Sequence, residues 1–174
     1  MNDNCIANRT KLIDTPIVEM ILSNAYRKSN IKFMLPDKKL ELDGVNLICL
    51  ANGKKTNICI KRNSKKYFDS PNFTFSLNCN RLNVFNNTMF AFIDELNDSI
   101  YTVPGTKLLS YIISNSDNLH PSTTNKNVTW LIIPKQDIIN MVNECCSNGI
   151  IKCNKNIMNL FSLNRDENLY KYLT

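Results

Sequence analysis

The sequence predicts an α/β or α+β fold, and three observations carry that expectation. The apolar pattern changes period along the chain, from a helical stripe to strand-like runs and back to helical stripes. Two of the strand-like runs meet through Asn52-Gly53, the dipeptide that most favours a two-residue hairpin. The remaining runs are short and separated by polar turns, with no internal repeat and no low-complexity linker. A length of 174 residues suits one domain spanning 1–174, with 150–174 as a candidate helical C-terminal extension.

Each element has its own signal. "TPIVEMILSNAYRK" (15–28) reads as a helix: Thr15 caps it, Pro16 suits the first turn, and Ile17, Val18, Ile21, Leu22 and Ala25 form the apolar stripe. "IKFMLP" is a short strand or extended approach closed by Pro36. "KLELDGVNLICL" reads as one strand whose alternation gives way to a continuous apolar stretch, as in a strand covered on both faces. "TNICIKR" returns after the turn as its partner. "NSKKYFDSPN" is a polar loop, "FTFSL" a strand, and "NRLNVFNNT" a short helix or loop. "MFAFID" and "SIYTVP" are strands joined around Asn97-Asp98, and "TKLLSYIISN" is a helix. "SDNLHPSTTNKN" reads as a surface loop and "VTWLIIP" as a buried strand, with Trp130 in the core. "QDIINMVNECCSN" is a helix that turns Ile138, Ile139, Met141 and Val142 inwards, and short helices around "NIMNLF" and "ENLYKYL" end the chain.

Composition removes several function classes. With four glycines there is no Gly-rich phosphate loop. Seven cysteines, an odd number, show no CxxC spacing, and Cys49 and Cys59 fall inside apolar runs. This argues against both a disulfide framework and a zinc site, and for a reducing intracellular compartment, cytoplasm or nucleus. No run approaches the ~20 apolar residues of a membrane span, and "MNDNCIANRT" lacks the apolar core of a signal peptide. Ser110 and Ser114 have no histidine and acid around them, and His120 reads as a surface residue. A formal charge of +6 favours an anionic partner.

The stretch "GVNLICLANGKKTNICIKRNSK" resembles the PD-(D/E)xK, or restriction-endonuclease-like, superfamily, in particular a branch written "GvDli…gk…iqvKts". The resemblance touches roughly residues 15 to 135. It implies a mixed β-sheet flanked by α-helices. It places Asn46 at the position of a metal-binding acid, Cys59 at that of an acid or glutamine, and Lys61 at that of the lysine that activates water. Glu19 corresponds to a glutamate on the preceding helix. Such a family site holds magnesium. Here Asn46 offers one neutral oxygen and Cys59 a soft sulfur, so the negative charge magnesium prefers is missing. Asp43 and Asp69, with Glu19, are the acids that could substitute at a metal site alongside Asn46.

Three functions follow. The first is nucleic-acid binding, DNA ahead of RNA, by a nuclease-like fold whose metal site has eroded and which needs no cofactor. Its candidate contacts are Lys61, Arg62, Lys65, Lys66 and Tyr67, a basic stretch with an aromatic. The second is a working magnesium-dependent endonuclease that uses substitute acids, or one in which Asn46 is an engineered replacement. The third is a protein-interaction module, an inhibitor or complex subunit, that uses the fold as a scaffold.

Overall fold

The computed structural model describes residues 14–27 and 29–165, with the backbone alone for Lys65, Cys79, Asn80 and 163–165. Helix α1 (Thr15–Ala25) starts with Pro16 in its first turn and buries Thr15, Ile17, Val18, Ile21 and Leu22. Asp14, not Thr15, occupies the N-cap position, and its side chain makes no cap bond there. Strand β1 (Ile31–Met34) follows.

The stretch read as one long strand from residue 39 is divided. Residues Lys38–Leu42 form a short helix, α2, because Asp37 accepts a hydrogen bond from the Leu40 N–H at 2.9 Å and so caps a turn of helix. Gly44, at φ +88°, then redirects the chain, and strand β2 is confined to Leu47–Ala51. Asn52 and Gly53 take φ +50° and +75°, the left-handed pair a tight hairpin requires. They return the chain as β3 (Lys54–Arg62), antiparallel to β2 with Leu47 opposite Ile58.

A loop, strand β4 (Asn72–Asn78) and a 3-10 segment (Cys79–Asn87) carry the chain over to β5 (Thr88–Asp94), which lies parallel to β3. Strand β6 (Ser99–Pro104) turns back through Asp98, at φ +47°, and leads into helix α3 (Gly105–Ser114). Gly105 is required here. A Cβ on it would lie 2.2 Å from the Phe85 carbonyl oxygen, so only glycine lets the helix start pass the 3-10 segment.

Next come β7 (Leu119–Pro121), β8 (Val128–Pro134), helix α4 (Lys135–Cys145) and β9 (Ile150–Lys152). Helix α5 (Lys155–Met158) runs into a 3-10 segment, Asn159–Arg165. Strand β7 lies in what the sequence suggests is loop, and β9 opens what it suggests is a helical extension. The second tail helix, around "ENLYKYL", lies outside the described residues.

The strands form two sheets. The larger is mixed, in the order β1-β2-β3-β5-β6-β9, and the smaller is antiparallel, β4-β8-β7. One face of the large sheet presents Leu47, Ile58, Ile60, Ala91, Ile93 and Ile100 to α1 and to Met158 and Phe161 of the tail. The other face, with Cys59, Phe90, Phe92, Tyr101 and Val103, packs on the small sheet and on α3 and α4. Phe73 and Phe75 of β4 meet Phe92 there at ring-centroid distances of 5.0 and 5.5 Å. The α/β expectation of a mixed sheet flanked by helices is met. The core position expected for Trp130 is not: alternation along β8 buries Leu131 and Ile133 and leaves Trp130 45% exposed.

Candidate functional site

Strand alternation puts Cys59 and Lys61 on the same face of β3. Asn46 stands immediately before β2, and its two groups bracket Cys59 on the neighbouring strand. Its backbone N–H donates to the Ile58 carbonyl at 2.8 Å, and its side-chain Oδ1 accepts from the Ile60 N–H at 2.7 Å. Asn46, Cys59 and Lys61 thus share one end of the β2–β3 ladder. The amide oxygen of Asn46 already serves as a backbone partner there.

Burial sets the electrostatics of this patch. Cys59 is 3% exposed, and burial pushes its thiol up to about 11, with Asp43 raising it further and Lys61 opposing. The thiol is therefore protonated at neutral pH. Burial holds the Lys61 ammonium below the ordinary lysine range. Its Nζ lies 5.4 Å from the centroid of the Phe75 ring, and no described carboxylate is within ion-pair distance.

The substitute acids are placed differently. Asp43, at the end of α2, forms an ion pair with Arg81 at 3.1 Å, and Arg81 also donates to the Leu42 carbonyl. Asp69 is exposed in the loop after the 3-10 turn Lys65–Tyr67. Glu19 is half-buried on α1, whose apolar side packs on the sheet face opposite that of Cys59. Among the described residues, no three His, Cys, Asp or Glu side chains are grouped so as to hold a metal ion. The donors of Asn46, Cys59 and Lys61 do not suit magnesium either: one amide oxygen already hydrogen-bonded, one protonated thiol, and an amine beside them.

The basic stretch divides in two. Arg62 points to the α1 side of the sheet and is committed inside the protein. Its Nε and Nη2 donate to the two oxygens of Asp14 at 3.0 and 3.2 Å. Its Nη1 donates to Glu95 Oε1 at 3.1 Å and to the Phe161 carbonyl at 3.2 Å. This removes Arg62 from the candidate phosphate contacts. Lys66 and Tyr67 are exposed, with the Lys66 Nζ 5.3 Å from the Tyr67 ring centroid. The side chain of Lys65 lies outside the described part of the structure.

Sequence reasoning missed the residue that shapes this loop. Asn63 is 7% exposed, and its Nδ2 donates to the carbonyls of Tyr67 (2.9 Å) and Asn72 (2.8 Å). Its Oδ1 accepts from the Thr74 N–H at 2.9 Å. An asparagine just past a strand, before Ser-Lys-Lys, is a signal for such side-chain-to-backbone bonding. A second buried polar cluster centres on Asp94. The Asp94 carboxylate accepts from Lys135 Nζ at 2.8 Å, Asn97 Nδ2 at 2.6 Å and Tyr101 Oη at 3.1 Å. Burial alone would raise the Asp94 carboxyl, but these three donors together hold it below its usual range. Burial, then the Asp94 charge, push the Tyr101 phenol up to about 12.

No family model and no curated protein matches the chain. Among solved structures, a nuclease from a fusselovirus is similar at a TM-score of 0.45 and 12% identity, over 74% of this chain and 87% of that one. No described helix is long and apolar enough to cross a membrane.

Proposed function

We propose that this chain binds nucleic acid, with DNA favoured over RNA, on a restriction-endonuclease-like scaffold whose metal-holding acids have been replaced by neutral groups. The observation that carries the reading is the patch of Asn46, Cys59 and Lys61, which keeps a lysine while presenting no free carboxylate. An ammonium with no carboxylate partner among the described residues, in a partly dry site, favours an anion such as a phosphate and disfavours a dication. The exposed Lys66–Tyr67 pair and the formal charge of +6 support the same partner class.

Two measurements test the reading. Binding of a fluorescent duplex, followed by anisotropy over a range of salt, is expected to weaken steeply as salt rises, because bound lysines displace condensed counterions. Incubation of plasmid with the protein and magnesium or manganese is expected to leave it uncut. Metal-dependent nicking that Lys61→Ala abolishes would establish a working endonuclease instead. No binding even at low salt would favour a protein-interaction role.

A further inference from the structure

The small sheet buries one face against the large sheet and leaves the other open. Along β8, Leu131 and Ile133 are fully buried, while Trp130 is 45% and Ile132 36% exposed. Strand register places His120 of β7 and Ser76 of β4 opposite Trp130, and Thr74 opposite Ile132. Residues directly opposite in a ladder share a face, so the open face carries an indole with an exposed imidazole beside it. Thr74, Ser76, His120, Trp130 and Ile132 include no acid. Lys126 lies in the connection from β7 to β8, and Lys66 and Tyr67 precede β4, so exposed basic side chains stand at both ends of these strands. Acids also stand beyond the strand ends, Asp69 before β4, Asp117 before β7 and Asp137 in α4 after β8, but they lie off the open face.

Trp130 and Ile132 give this face an apolar centre, and the indole joins a flat apolar ring to a polar N–H. We infer that the open face of β4-β8-β7 is a stacking platform for the bases of single-stranded nucleic acid. Trp130 offers the π-face, His120 flanks it, and Lys126 and Lys66 follow the phosphates. Unpaired bases expose the planar faces such a platform needs, whereas a duplex keeps them stacked inside. The acid-free face, with Lys126 and Lys66 beside it, suits an anionic partner. The inference rests on the nucleic-acid reading above and adds to it a site for unpaired strands.

Trp130 is the chain's only tryptophan, so its fluorescence reports stacking directly. The experiment titrates the full chain with oligothymidylate, oligouridylate and a blunt duplex. Single strands are expected to quench the emission and the duplex is not. Trp130→Ala is expected to weaken single-strand binding about tenfold or more, with duplex affinity held. Trp130→Phe, which keeps a ring, is expected to retain most of it. Circular dichroism of both variants confirms folding. The preference between the thymidylate and uridylate arms distinguishes DNA from RNA. Single-strand binding with unchanged emission, and no effect of Trp130→Ala, would overturn the platform while leaving nucleic-acid binding in place. Absence of all binding would overturn both. A dimer seen by sedimentation and dissolved by Trp130→Ala would show that a second copy covers the face, which also overturns the inference.

Discussion

Arg62→Met removes a guanidinium from between two buried carboxylates and keeps much of the apolar stem. In the native chain the Arg62 side chain is 12% exposed, against 3% for Asp14 and 8% for Glu95. Breaking a buried pair from one side typically costs about 3–5 kcal/mol, because the remaining charge is left in a poor solvent. The partial exposure of Arg62 places this case near the lower end, about 3 kcal/mol. That is a large share of the roughly 5–15 kcal/mol by which a domain is stable. For a chain of this size it corresponds to a melting point lower by about 6–12 °C. Urea and thermal unfolding measure it. Adding Asp14→Asn and Glu95→Gln to Arg62→Met is expected to recover much of the loss, since the carboxylate charges that Arg62 balances go with the pair. Affinity for nucleic acid, measured cold where the variant is folded, is expected to stay unchanged. A loss of stability under about 1 kcal/mol would refute the argument. So would weakened nucleic-acid binding with stability intact, which would return Arg62 to the phosphate path.

Lys61→Met is expected to stabilise the protein by about 1 kcal/mol near neutral pH, the scale of a favourable single-site change. Because the folded-state pKa of Lys61 is lowered, the penalty for burying its charge is complete below that value. It is relieved as pH rises towards the unfolded lysine value, so the gain should shrink in urea titrations at alkaline pH. Lys66→Glu is expected to lower duplex affinity and to make the log–log salt slope shallower by about 1, read by anisotropy at several salt concentrations. Asn46→Asp with Cys59→Glu is expected to create manganese binding detectable by calorimetry or electron paramagnetic resonance; no heat and no spectral change would mean that the patch lacks room for an ion.

Much of this fold is legible in the sequence because its signals are local. Asn52-Gly53 dictates a hairpin, and the apolar stripes of α1, α3 and α4 declare their buried sides. What was illegible depends on partners distant in sequence or on capping that imitates another pattern. Leu40 and Leu42 alternate like strand residues, yet the Asp37 cap makes a turn of helix. Strand β4 joins β8 in a separate sheet and not its sequence neighbour β3, and no local feature of "FTFSL" encodes that choice. The composition of "VTWLIIP" suggests burial on both faces, whereas only Leu131 and Ile133 face the core. Arg62 and Lys66 look alike in a basic run. Alternation sends Arg62 through the sheet to Asp14, 48 residues earlier, and leaves Lys66 in solvent.

Position 46 shows how one strand geometry can serve two chemistries. The Oδ1 of Asn46 closes the β2–β3 ladder by accepting the Ile60 N–H, and an aspartate oxygen could do the same. The two side chains differ in the other terminal atom, a charged oxygen in one and a neutral NH2 in the other. The strand geometry therefore accepts either residue, while the charge decides what the patch attracts. With Asn46 neutral, the Cys59 thiol protonated and Asp43 already answering Arg81, the Lys61 ammonium is left to dominate a partly dry site. A dication entering there would meet a like charge, and a phosphate would meet its complement. The Asn46→Asp variant separates the two demands: its fold should be unchanged, while the Lys61 ammonium gains a counter-charge and the preference of the patch moves from anions towards cations.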